Sequence, residues 1–262
     1  METSTEVIND AIRSLDWNGV QDSLLRDEDV DPDPIEVCTA SVDDWNRYVR
    51  SPNQAMKPKY MEWRDGRIWI VECAGAIDSL TAGKFIVAMC LATGTGDEHL
   101  EPYTDCHDEE PPAGAVLAEP DCSFGPSVCV GAVLPDGIGN WLDFQTVNVE
   151  VGVCQGWPGL DRKSAIWREH VGVQFVVSIR LSPKLRIRQF QFEERVNGEF
   201  PVDDALNRAP VLPIDQQHAM LRFDAHRLLG LPAGANLPSG FNNPVEINLF
   251  QLVEQVRQRA NA

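Results

Sequence analysis

Val147-Asn148-Val149-Glu150-Val151-Gly152-Val153 is the stretch on which the reading of this chain turns. It has the composition of a buried β-strand, yet a glutamate interrupts it. A carboxylate buried without a partner costs several kcal/mol, so a metal, a lysine or an arginine must compensate Glu150. Working outward, Glu119-Pro120-Asp121 precedes another short apolar run, and Asp161-Arg162-Lys163 opens a segment of helical pattern. Two carboxylates at adjacent strand ends with a lysine in reach suit magnesium-assisted phosphodiester chemistry. The carboxylates would hold a hard, oxygen-seeking cation. The cation would activate water and offset charge on the phosphate, and the lysine would steady that charge or poise the water. Taken alone, Pro-Asp is also a common turn or strand-edge pair, and a helix lysine commonly faces solvent.

The flanking pattern predicts an α/β fold. Tyr60 to Glu72 alternates on both sides of Asp65-Gly66, the strongest short-range signal of a β-hairpin. Ser79 to Leu91 reads as a deeply placed helix that Gly94-Thr95-Gly96 ends. Residues 97–118 read mostly as loop. Strands are expected around Cys122–Phe124 and Thr146–Val153, a helix over Ser164–His170 with Ile166 and Trp167 inward, and strands over 173–179 and 185–192. This order of hairpin, helix, strands, helix and strand implies a mixed sheet. Upstream, Val7 to Leu15 predicts a short helix, and Ser41 N-caps another through Tyr48. The run Arg26 to Pro34 reads as solvated linker, and the first fifty residues as peripheral to the core. Val245–Arg259 is amphipathic. The chain divides into an acidic extension at 1–55, a core at 56–200 and a C-terminal extension at 201–262 ending in that helix.

Composition narrows the partners. With 262 residues and a formal net charge of −18, the chain as a whole repels polyanions. The charge is uneven, however. Residues 1–50 carry 13 acids and 4 bases, residues 51–150 carry 16 and 5, and residues 151–200 reverse to 5 and 8. The basic segment directly follows Glu150 and contains Lys163, and Arg186 and Arg188 extend it. No run of 18 apolar residues occurs, so no membrane partner is expected. Seven cysteines, odd in number and without a CxxC pair, read as free thiols of a reducing compartment, hence an intracellular location, cytoplasmic or nuclear.

Glu62-Trp63-Arg64-Asp65-Gly66-Arg67-Ile68, then Glu119-Pro120-Asp121, Val149-Glu150-Val151, and Asp161-Arg162-Lys163 through Trp167, Gly172-Val173-Gln174-Phe175 and Ser182-Pro183 follow one another in a familiar order. In that order the chain resembles the Uma2-like restriction endonucleases of the PD-(D/E)XK nuclease superfamily, over roughly residues 60–192, and most closely their divergent versions in eukaryotic microbes. The resemblance implies a restriction-endonuclease-like core, a mixed central sheet flanked by helices. It implies Asp121 and Glu150 as metal ligands for Mg²⁺ or Mn²⁺, Lys163 as the catalytic lysine, and Glu62 as an accessory acid. The superfamily's usual lysine position, two residues after the glutamate, is here Gly152, and Uma2-like proteins carry the lysine on the following helix instead. Two functions are therefore expected in competition. One is a metal-dependent hydrolase of nucleic acid, DNA ahead of RNA. The other is a catalytically degenerate nuclease-fold module that binds a protein partner through its acidic N-terminal region or its C-terminal helix.

Overall fold

The structure, a computed structural model, describes residues 4–25, 32–104, 114–201 and 209–260. The chain first builds a layer of two helices, α1 (Ser4–Arg13) and α2 (Trp17–Leu24), a strand β1 (Ile35–Thr39), and a helix α3 (Val42–Val49). A capping box starts α3. The Ser41 hydroxyl accepts the Asp44 N–H at 3.2 Å, while the Asp44 carboxylate accepts the Ser41 N–H at 3.3 Å. A short 3-10 turn, Pro58–Tyr60, leads into the hairpin β2 (Met61–Arg64) and β3 (Arg67–Ile70). Asp65 and Gly66 take φ of 52° and 76°, the left-handed pair that a two-residue hairpin turn requires.

The first fifty residues are thus not peripheral. Strand β1 pairs antiparallel with β3, and Ile8, Ile12, Val20, Trp45 and Tyr48 form one apolar cluster with Ile68 and Ile70 of the hairpin. The reason is local. Acid dominates the composition of this segment, but α1 and α3 each keep an apolar stripe at helical spacing, which the segment's average charge conceals. Most of the acidic run, residues 26–31, lies outside the described residues.

The main body follows. Helix α4 (Ala76–Thr93) ends at Gly94, in the left-handed region at φ 83°. Then come β4 (Leu100–Tyr103), β5 (Cys122–Pro126), β6 (Val147–Gly152), α5 (Trp157–Glu169), β7 (Phe175–Leu181), β8 (Arg188–Glu194) and β9 (Leu212–Pro213). These strands form a six-stranded sheet in the order β4-β5-β6-β7-β8-β9, antiparallel throughout except for the parallel pair β6/β7 that α5 connects. The fold is α/β with a mixed central sheet flanked by helices. A second hairpin, β10 (Met220–Phe223) and β11 (Val245–Asn248), brackets α6 (Ala225–Leu228) and precedes the terminal helix α7 (Leu249–Ala260).

The pleat sorts the strand residues onto two faces. Val147, Val149 and Val151 join Cys122, Phe124, Phe175, Val177 and Ile179 in the main core, beneath Phe85 and Met89 of α4. Asn148 and Glu150 point to the opposite face, which α5 covers, and both are 0 % exposed. Helix α4 is apolar and long enough, by composition alone, to cross a membrane. It packs instead against α7 and β11 with Phe85 and Met89 fully buried.

Three boundaries differ from the sequence reading. Residues 97–118 contain β4, an edge strand whose Pro102 obscures it; proline is tolerated there because an edge strand leaves one side of its ladder unpaired. Helix α5 begins seven residues before Ser164, because Pro158 falls in its first turn, where no N–H is needed. The C-terminal amphipathic stretch splits into strand β11 and helix α7.

Candidate active site

Asp121 immediately precedes β5, and its own N–H donates to the Val149 carbonyl at 3.1 Å, which anchors it beside the centre of β6. Its Oδ2 accepts the Val151 N–H at 2.7 Å. Glu150, the next residue along β6 from Val149, projects toward α5. There Lys163 Nζ donates to Glu150 Oε2 at 2.8 Å and the Trp167 indole N–H donates to Glu150 Oε1 at 2.7 Å. Lys163 also donates to the Lys59 carbonyl at 2.7 Å, in the turn before the hairpin. The Lys59 ammonium lies 4.0 Å from Asp121 Oδ1. The three residues singled out in the sequence therefore share one buried cluster, with Asp121 5 % and Lys163 6 % exposed.

The electrostatics follow from the crowding. Burial pushes the Asp121 carboxyl up to about 7; Lys163 opposes this and Glu150 adds to it. Burial alone would lower the Lys163 ammonium, but Glu150, Asp121 and Glu72 outweigh it and hold the lysine raised and charged. Glu72, 2 % exposed at the end of the hairpin, accepts backbone N–H groups from Val153 and Cys154 at 2.9 and 2.8 Å. Its burial, partly offset by those hydrogen bonds, raises it to about 7.

The position of the lysine has a steric reason. A Cβ on Gly152 would meet the Gln155 carbonyl at 3.1 Å, Gln155 Cβ at 3.2 Å and Leu160 Cδ1 at 3.3 Å. Gln155, just ahead of α5, and Leu160 in its first turn crowd the room a side chain two residues after Glu150 would need. Lys163, nearly two turns into that helix, comes back over the same strand.

Glu62 belongs to a different part of the site. Its two oxygens take Nε and Nη2 of Arg162, both at 3.0 Å, and Arg64 Nη1 lies 3.2 Å from Oε1. These side chains line a cleft of about 290 Å³ between the hairpin and α5, and Lys163 forms part of its wall. Much of the basic segment is spent internally. Arg168 pairs with Glu193, Arg188 with Glu254, and Arg195 donates to the carbonyls of Val173, Arg168 and His170.

Trp167 is the residue the sequence reading placed inward without giving it a part. Its spacing of i+4 from Lys163 carries the signal, since residues four apart on a helix meet the same neighbour. Lys59 and Glu72 had no such signal, because a loop carbonyl and a distant strand end reach the site only through tertiary packing.

Among the described residues no group of three or more His, Cys, Asp or Glu side chains is arranged to hold a metal ion. The donor type nonetheless fits a hard cation, which takes one or two carboxylates and fills its remaining positions with water. Asp121 and Glu150 supply those carboxylates. One pleat repeat away on the same face, Ser123 and Asn148 stand opposite each other in register, both 0 % exposed. Among the described residues the Ser123 hydroxyl and both ends of the Asn148 amide have no hydrogen-bond partner. Buried polar groups in that state ordinarily hold water.

No family model matches the chain, and no curated protein matches it. Among solved structures, the chain is similar to a candidate nuclease belonging to DUF820 from Anabaena variabilis. The TM-score is 0.45 and the identity 12 %, and the match covers 82 % of this chain and 99 % of that one.

Proposed function

We propose that the chain is a metal-dependent nuclease that hydrolyses phosphodiester bonds of nucleic acid, DNA ahead of RNA. The observation that carries this reading is Lys163. One charged side chain binds Glu150 in the buried cluster and also forms part of the wall of the cleft, so the carboxylates and the space where a phosphate could lie meet at a single residue. Asp121 and Glu150 would hold Mg²⁺ or Mn²⁺, which supplies Lewis acidity and a more acidic bound water. Lys163 would balance negative charge developing on the phosphate. Trp167 orients the Glu150 carboxylate from the side away from the lysine, and the Lys59 carbonyl holds the ammonium in place. Glu62 positions Arg162 and Arg64 at the cleft rather than joining the carboxylates.

The test is incubation with DNA and RNA in Mg²⁺ or Mn²⁺ beside a Glu150→Ala control. Cleavage by the wild type alone supports the reading, and cleavage that survives the substitution rejects it. A bound cation also stabilises by mass action, about 2.7 kcal/mol at a hundred times its dissociation constant. A thermal shift in the wild type that Asp121→Ala abolishes is therefore the companion result.

The alternative of a catalytically silent protein-binding module has one specific observation in its favour. Both Glu150 oxygens already have protein donors, so a cation must compete with an ammonium that neutralises the site. Under that reading neither metal shifts the unfolding temperature and no substrate is cut.

A further inference from the structure

We infer that Asn148 and Ser123 are positioning residues of the cation site, holding water through which a divalent cation on Asp121 and Glu150 completes its coordination. The inference rests on the nuclease reading for the cation and goes beyond it in giving two neutral side chains a part.

Strand register sets the arrangement. Ser123 and Asn148 stand opposite each other across β5 and β6, and each lies two residues along the chain from a carboxylate, Asp121 or Glu150. Side chains two apart on a strand share a face, so four oxygen-bearing groups form one buried block beneath α5.

The surroundings of the neutral pair are apolar or already committed. Val176, the register neighbour of Asn148 on β7, packs in an apolar cluster with Trp167 and Val173. On the other side Tyr103, opposite Ser123 on β4, donates its hydroxyl to Glu101 at 3.3 Å. Thr146, two residues before Asn148, donates to the Leu228 carbonyl at 2.7 Å. The carboxylates are what remains beside the pair. Ser123 Oγ, Asn148 Oδ1 and Asn148 Nδ2 thus stay without a hydrogen-bond partner among the described residues. Apolar side chains of the same size would avoid that loss of stability, so polar groups kept in this state call for a role.

Length decides what the role is. One pleat repeat, about 6.5–7 Å, separates the pair from the carboxylates. Direct ligation by both would bring their oxygens within about 4 Å, twice a Mg²⁺–oxygen distance of about 2.1 Å. A path from carboxylate to cation to water to amide spans about 7 Å, two such distances and a hydrogen bond of about 2.8 Å. The pair therefore suits water at the cation rather than the cation itself. Such a water turns its oxygen to the metal and donates its hydrogens, and Asn148 Oδ1 and Ser123 Oγ are two acceptors side by side.

The experiment reads cation binding apart from cleavage. Full-length protein is titrated with Mn²⁺, free Mn²⁺ is followed by electron paramagnetic resonance, and the unfolding midpoint is measured in EDTA. Asn148→Leu combined with Ser123→Ala removes the three polar atoms and nearly keeps the packing. It should unfold in EDTA no lower than wild type, yet bind Mn²⁺ about 10–100-fold more weakly. Asn148→Asp restores an oxygen acceptor and should return the affinity to wild type or better. Ser123→Ala alone should weaken it in the same direction, and carries the test if the double variant does not fold. Mn²⁺ affinity unchanged in the apolar variants, or not regained by Asn148→Asp, overturns the inference, as does a wild type that binds no Mn²⁺. The two readings fail separately. Mn²⁺ binding that Asn148→Leu weakens, with neither DNA nor RNA cut, keeps the assignment and removes the nuclease. Cleavage in Mn²⁺ with an affinity indifferent to Asn148→Leu does the reverse.

Discussion

Replacing Lys163 with methionine tests whether Glu150 is held as a buried ion pair. Methionine has nearly the length and girth of the lysine stem, so the packing of α5 on β6 is kept and the ammonium alone is removed. Glu150, 0 % exposed, then retains only the Trp167 N–H at 2.7 Å. Breaking a buried pair from one side costs about 3–5 kcal/mol. A stranded glutamate can instead take up a proton, which at pH 7 costs an ordinary glutamate about 3.7 kcal/mol, so the loss should settle near 3–4 kcal/mol. For a chain of this size that lowers Tm by roughly 10 °C. The reciprocal change, Glu150→Gln, should cost less, about 1–3 kcal/mol, because Lys163 keeps the Lys59 carbonyl at 2.7 Å and stays close to Asp121. The double variant removes both charges and should fall short of the summed losses by about 2 kcal/mol. Urea unfolding followed by tryptophan fluorescence, with equal m-values across the four proteins, gives the cycle. If Lys163→Met stays within about 1 kcal/mol of wild type, or the cycle is strictly additive, water reaches the pair and the argument from burial is wrong.

Trp167→Phe removes one N–H and leaves Glu150 Oε1 buried without its donor; a loss of about 1–3 kcal/mol is expected in the same assay, and no loss would deny the tryptophan its positioning role. Glu72, raised to about 7 by burial, contributes stability that is complete below its ordinary value of 4.5 and is lost as pH rises through 7. That amounts to about 3 kcal/mol, so Glu72→Gln should flatten the fall in urea midpoint between pH 4.5 and 8, and identical slopes would contradict it. Gly152→Lys, which puts a lysine two residues after Glu150, should destabilise by about 1–3 kcal/mol against Gln155 and Leu160, and an unchanged Tm would show that these neighbours yield.

The core and part of the cluster were legible in the sequence for a simple reason. Asp65-Gly66 dictates its turn by backbone sterics, and a glutamate in an apolar strand demands a partner wherever the strand is buried. Both are local statements, and both hold in the structure: the hairpin turns at positive φ, and Glu150 has its lysine. The apolar stripes of α1 and α3 were equally local but lay beneath an acidic average. Other features depended on packing. That Lys163 comes back over β6 follows from the path of α5 between two parallel strands, and that a side chain at Gly152 would be crowded follows from where Gln155 and Leu160 lie. Glu62, expected as an accessory acid, pairs with Arg162, a hundred residues away, across the cleft between the hairpin and α5. Sequence by itself determined which residues could not be buried alone. Tertiary structure decided their partners, because ion pairs and cleft walls are made between segments whose separation along the chain carries no information about their distance in space.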